Sequence, residues 1–496
     1  MKWVACLLMW IPAVASAQPI PVPPPPTILI HPAGEPVPAL KYRIMPERLS
    51  LISGNASVFY HRAIQFLYIR RKNQPPAERN APPSPSYDEL VYTWASNPIR
   101  EIPLDQARTV LEQYGTLLHE TELGATRTFC DWEFDQRKEG FSLLLADIQE
   151  MRTIGRLVAL RARVAVLEGK TDEAFHWIET GFVVARHVSQ GSTLIQSLVG
   201  CAIESNMAMV LEDLIQAPGT PSLYWALAIR PRPLIDMTAP LESERYILER
   251  ELPALRDLET GPWTLAKTRK FSDDLRSGMG SWGEITLLAS PGNPPTISGT
   301  PPQLRAFSSQ LALAAMVARN YPEARKSLIA SGKPVEEVDA MPTLQVVMLE
   351  VYRSYIAYCD DVYKWAALPY RVSSQKSDVV VRDAVVRAKL SNPLLAPFMM
   401  LVPALNSARF ASLRVDRRLD AIQCIEAIRL YAAAHDGAFP PTLEAITEAP
   451  APFDPATGKP FDYKVNGDTA SLTGPLPVGA PDHYTSLIRY ELKLAK

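Results

Sequence analysis

Residues 162–185 read ARVAVLEGKTDEAFHWIETGFVVA, and this stretch decides the fold class. The run leading into it, from Phe141, places Leu144, Ile148, Met151, Ile154, Val158, Val164 and Leu167 mostly at steps of three or four, the spacing of a helix buried along one face. Gly169 stops that helix. Thr171 is placed to cap the next one, with Asp172 and Glu173 in its first turn, where the positive helix end favours acids. The second helix carries Ala174, Phe175, Ile178, Phe182 and Ala185. After Gly191 a third carries Ile195, Leu198, Ala202, Met207, Val210, Leu211 and Leu214, and ends before Pro218-Gly219. Three amphipathic helices with short connections hide their stripes by packing antiparallel.

The same spacing predicts helices over 241–258, 303–318, 322–330 and 343–365, and strand signals gather in the last fifty residues. The expected class is mainly α: irregular antiparallel helical hairpins with a small C-terminal α+β region. The 46 prolines punctuate the chain. They set off an extended polyproline-type tether over 18–40, a break through 75–85 and a Gly/Pro-rich loop over 278–302. Between these lie a helical body over 41–277 and a second helical segment over 303–390, with the C-terminal region over 391–496.

Residues 1–17 have the order of a cleavable export signal: Lys2, an apolar run from Trp3 to Val14, then Ala15-Ser16-Ala17. They predict a secreted, periplasmic or envelope protein whose mature chain starts near Gln18. No other apolar run predicts a membrane span, because Leu394–Asn406 is short and broken by Pro397 and Pro403. A net charge of -2 gives no overall attraction to nucleic acid or to an anionic membrane. Past Cys6, the thiols Cys130, Cys201, Cys359 and Cys424 have no zinc-type spacing and read mainly as small buried hydrophobes, with one or two disulfides the alternative.

Residues 162–185 resemble one tetratricopeptide unit, with Leu167, Gly169, Ala174 and Gly181 at its packing, turn and small-residue positions. MVARNYPEARKSLI, around Asn320, Tyr321 and Ala324, echoes the turn. Leu394–Ile446 resembles the later part of a type IV pilin or pseudopilin, and Asp454-Pro455, Gly458-Lys459-Pro460 and Phe461-Asp462-Tyr463 resemble the entry to the pseudopilin sheet. Leu419, Ile422, Ile425, Ile428 and Tyr431 form the buried face of its helix, Gly437 ends it as a left-handed cap, and Asn466-Gly467 turns a hairpin. A prepilin has its cleavage site immediately before the hydrophobic helix, whereas this helix is internal. With Cys130-Asp131-Trp132 and VEEVDAMPTLQVVMLEVY, the whole resembles a family of exported bacterial proteins with such hairpins and such an end. That resemblance implies export and a helical body, and carries no activity.

Candidate chemistry is sparse. Gly278-Met279-Gly280-Ser281-Trp282-Gly283 matches a dinucleotide-binding string but follows no strand and reads as a loop. None of the seven histidines forms a zinc pattern: His119, Glu120 and Glu122 read as a solvated face, His176 and His187 as core-edge groups, and His435-Asp436 as a helix end. Asp131, Glu133 and Asp135, with Trp132 nearby, and Asp360 and Asp361, with Trp365 nearby, would serve a carboxylate hydrolase only if folding joined them. Asn55-Ala56-Ser57 fits a glycosylation sequon. No catalytic, cofactor or metal residue is assigned. The expected function is a non-enzymatic exported scaffold that binds a protein or envelope partner; a carboxylate hydrolase and a pseudopilus component are the alternatives.

Overall fold

A computed structural model describes residues 24–73, 85–133, 141–191, 193–275, 302–376, 379–380, 383, 402–480 and 484–495. The protein is mainly helical with a small sheet formed largely by its C-terminal residues. Its helices include α1 Ser57–Lys72, α2 Tyr87–Ser96, α3 Leu104–Glu112, α4 Gly115–Ala125, α5 Phe141–Leu167, α6 Thr171–Ser189, α7 Leu194–Ile215, α8 Tyr224–Ala228, α9 Thr238–Glu244, α10 Ile247–Glu251, α11 Pro302–Ala330, α12 Val335–Ala340, α13 Thr343–Ala366 and α14 Val402–Ala434. The strands are β1 Thr27–Ile30, β2 Ile52–Asn55, β3 Arg127–Phe129, β4 Phe453–Asp454, β5 Lys459–Pro460, β6 Asp462–Asn466, β7 Thr469–Gly474 and β8 Ile488–Leu494.

The chain divides into two compact units, which cut across the segments expected from the prolines. Among the described residues, one holds those of 24–133, 143–240 and 408–495, and the other those of 241–407. The C-terminal region therefore folds with the helical body instead of standing apart. Residues 18–40 are not simply a tether either. Thr27–Ile30 pairs in parallel with Glu491–Leu494 and completes a sheet of order β1-β8-β7-β6, with Ile28 and Ile30 buried. Their alternation is a strand signal that the flanking prolines hide, and an edge position is where a strand tolerates adjacent proline.

In the first unit, α5 ends as its sequence requires. Gly169 takes φ +70° and the amides of Gly169 and Lys170 return to the carbonyls of Val166 and Ala165, a Schellman closure. Lys170, not Thr171, occupies the N-cap of α6 and no side chain caps it. Thr193 caps α7 through a reciprocal box with Gln196. Helix α6 packs along α7, and α7 is enclosed on most of its surface. It is the single described helix long and apolar enough to cross a membrane, and its most apolar window is 72% buried inside the protein. Leu198 and Ala202 are its half-buried exceptions to the expected stripe.

Close helix approach rests on small residues. A Cβ on Gly181 would lie 2.1 Å from the Met207 sulfur, whereas one on Gly200 would lie 2.7 Å from the Ala185 carbonyl oxygen. A thioether can turn aside and a backbone carbonyl cannot. Gly200→Ala is therefore expected to cost about 1–3 kcal/mol, more than Gly181→Ala, when the two are compared by urea unfolding.

Around α14, Leu419, Ile422, Ile425 and Ile428 are buried as expected, while Tyr431 is half-buried and stacks on His435 with ring centroids 3.8 Å apart. The helix buries polar residues as well: Arg417, Asp420, Gln423, Glu426 and Arg429. The helix closes with Asp436, at φ 52°, in the left-handed position that precedes Gly437. Asn466 and Thr469 pair across a two-residue turn containing Gly467, which makes the β6–β7 hairpin at the expected place.

In the second unit, Leu248, Leu255, Trp263, Phe271, Leu328, Val347 and Tyr355 share a core. The helix expected over 241–258 is broken: α9 and α10 are followed by a 3-10 turn over Pro253–Asp257, because Pro253 has no amide to continue the ladder. The helices expected over 303–318 and 322–330 are instead one, α11, with Pro322 inside it. Gln345 ties this unit together, accepting from the Trp263 amide and donating to the carbonyls of Leu258 and Gly261.

Candidate functional site

The α5–α6 turn borders a groove of about 640 Å³ lined by Pro36, Val37, Lys41, Tyr42, Lys170–Glu173, Gly219 and Pro221 among others. Its floor is fixed by Tyr42, which is buried and packs at a tilt against Phe175 with ring centroids 4.7 Å apart, while its hydroxyl donates to Asp172 Oδ1 at 2.6 Å. Lys41 Nζ donates to the same oxygen at 2.7 Å. The hydrogen bonds from Lys41 and Tyr42 hold the Asp172 carboxyl below its ordinary pKa. Lys170 bridges Glu168 at 2.7 Å and Glu173 at 3.8 Å. The groove thus joins an apolar lip, where Val37 is 92% exposed, to charges that neutralise one another. It holds no thiol or imidazole, and its arrangement suits recognition of a chain segment more than a reaction.

The acids weighed for hydrolysis do not come together in one unit. Asp131 lies in the first and accepts from the Glu133 amide; Asp360 and Asp361 lie in the second, paired with Arg245 at 3.1 Å and Lys364 at 2.5 Å. Asp135 and the 278–283 glycine string lie outside the described residues. Trp132 is buried against Tyr60 and His61 and offers no open ring to a sugar, and Trp365 is half-buried. Asn55 uses its side chain structurally, donating to the Asp131 carbonyl and accepting from the amides of Ser57 and Asp131.

Two of the scattered histidine readings change. His176 Nε2 meets Glu122 Oε1 at 2.7 Å, which raises the imidazole pKa, and His119 stays exposed. His187 is buried, with Nδ1 sharing a hydrogen bond with the Tyr60 hydroxyl at 2.8 Å; burial, aided by Arg186, lowers its pKa to about 4. Cys130, nearby, is buried and its thiol is pushed up by burial, so it is no nucleophile. The other three thiols are buried and unbridged as well. Among the described residues no group of three or more His, Cys, Asp or Glu is arranged to hold a metal.

Sequence reading missed a buried ionic cluster between α7 and α14. Glu204 is 1% exposed in the middle of α7. On α14, Asp420 Oδ1 accepts from Arg230 at 2.8 Å and Arg232 at 3.2 Å, while Asp416 lies 4.0 Å from Arg230. Three carboxyls face two guanidiniums. Burial and the neighbouring Asp416 charge raise the Glu204 pKa well above normal, and burial takes Asp416 up to about 6. A lone acid in the centre of a long apolar helix is the signal that marks it. Comparison with protein-family models, curated proteins and solved structures found no match for this chain.

Proposed function

We propose that this chain is an exported helical scaffold that binds a protein partner of the cell envelope through the groove at the α5–α6 turn, with no reaction of its own. The observation that carries the reading is the pairing of an exposed apolar side chain, Val37, standing beside the buried Pro36, with the self-neutralised Lys41, Asp172, Lys170 and Glu173. Such a surface accepts an extended segment of mixed character and rewards neither phosphate nor nucleic acid. The Schellman turn at Gly169 and the close contact at Gly181 support helices α5 to α7 as antiparallel hairpins, tetratricopeptide-like in part. Helix α14 followed by its small sheet is in keeping with a pilin-like end, here reused within a larger body. Export rests on the pattern of residues 1–17.

The test compares a tagged chain with its Val37→Asp variant for capture of partners from envelope extract. Val37 is almost fully exposed, so the variant keeps the fold. The reading expects at least one captured protein whose recovery falls roughly tenfold, about 1.4 kcal/mol of binding. Identical capture by both chains contradicts the groove as the binding surface.

A further inference from the structure

Helix α1 has an outer face that its inner packing does not explain. Tyr60, Ala63, Ile64 and Leu67 point into the unit and are buried. On the opposite side, at helical spacing, stand Val58, Arg62, Gln65, Phe66, Ile69 and Lys72. Val58 is 49% exposed, Phe66 39% and Ile69 54%. A solvated helix face ordinarily carries polar and charged residues of both signs. This one carries large apolar groups and cations, with Gln65 its one neutral polar residue and no acid.

The apolar patch extends past the helix. Ile52 on β2 and Phe129 on β3 are about half exposed, and the Phe129 carbonyl accepts from the Ala56 amide just before α1 begins. Arg127 and Arg62 lie over the Phe59 ring at 4.6 and 5.5 Å, rimming the patch with guanidinium groups.

The charge is one-sided. Residues 48–73, RLSLISGNASVFYHRAIQFLYIRRKN, hold four Arg and one Lys and no acid, within a chain whose net charge is -2. The acids that reach this segment, Glu120, Asp88, Asp147 and Glu150, come from other elements and engage Arg62, Arg71 and His61. Arg48 and Lys72, at the two ends, have no ion-pair partner among the described residues and are exposed.

We propose that the outer face of α1, with β2 and β3, is a docking surface for an anionic lipid bilayer, on which the protein sits peripherally. A helix of 16 residues lying flat brings a row of about 24 Å to the headgroup boundary. Val58, Phe66 and Ile69 then enter the acyl edge while long cationic stems reach phosphates on either side. A protein partner is the weaker fit, because tight protein interfaces anchor in pockets and these side chains stand out from a convex helix. This inference is independent of the groove at the α5–α6 turn.

The purified full chain is to be sedimented with vesicles of phosphatidylcholine containing phosphatidylglycerol, and with vesicles of phosphatidylcholine alone. Binding to the anionic vesicles, weakened by salt, and little to the neutral ones is expected. Arg48→Ala with Lys72→Ala is expected to lower partitioning roughly 30-fold at low salt, since each cation near an anionic surface contributes about 1 kcal/mol. Phe66→Ser with Ile69→Ser is expected to abolish binding while circular dichroism stays unchanged. Absence of binding to anionic vesicles at low salt overturns the proposal, as does equal binding to both vesicle types. So does unchanged binding by either variant, or occupation of this face by an acidic protein when vesicles do not bind.

Discussion

Asp454→Ala is expected to destabilise the protein by about 3–5 kcal/mol, a large fraction of the stability of an ordinary domain. Asp454 and Arg417 form a two-pronged pair at 2.9 and 2.7 Å with both side chains 1% exposed. Arg417 also donates to the carbonyls of Ser486 and Pro475, so one guanidinium ties α14 to the β4–β5 pair through Asp454 and to the residues that follow β7 and precede β8. Removing the carboxylate leaves a cation with no water and half its partners. The loss should appear as a lower urea midpoint. Replacing both residues together, Arg417→Met with Asp454→Leu, is expected to recover much of it, because the cost lies in the unpaired charge more than in the pair. Equal damage from the double variant and Asp454→Ala would show that the carbonyl ties, not the charge, hold this corner.

Glu204→Gln is expected to do the reverse and stabilise the protein, by up to about 3 kcal/mol at pH 7 and by nothing at pH 4. The sign follows from proton counting. A carboxyl whose folded pKa is raised keeps a proton that the unfolded chain has released. Its penalty is absent below the ordinary value of 4.5 for Glu204 and grows as pH rises towards the folded value. Asp416 acts the same way between 3.8 and about 6. His187 acts oppositely, since its lowered pKa makes stability fall as pH drops from 6.5 to about 4. Glutamine mimics the protonated acid at every pH, so it removes the Glu204 penalty and leaves the His187 contribution in place. Unfolding free energies of the two chains at pH 4 and pH 7 check this. A variant that is no more stable at pH 7 than at pH 4, relative to the parent, would place an ionised carboxylate at position 204.

What the sequence makes legible follows physical range. The bounds of α5 and α13 and the turns at Gly169 and Asn466-Gly467 depend on neighbours within a few residues, and all appear where periodicity and turn chemistry put them. Pairings that depend on distant segments do not. Nothing near Ile28 announces that Glu491–Leu494 will lie beside it, and nothing near Asp420 announces Arg230. The buried polar residues of α14 are hidden for the same reason: Arg417, Asp420 and Glu426 meet Asp454, Arg230 and Ser222, which lie on distant segments. The groove is half legible, since Gly169 to Glu173 mark a turn, yet Pro36 and Val37 reach it from a segment that reads as tether.

The central claim is that the α5–α6 groove receives a partner protein. A photo-crosslinking residue placed at Val37, with Leu265 in the other unit as the exposed control, tests it most directly in living cells. A discrete adduct at position 37, absent at 265 and lost when Asp172→Lys removes the ion pair with Lys41, is the result expected. No adduct at 37, or the same adducts from both positions, would contradict it.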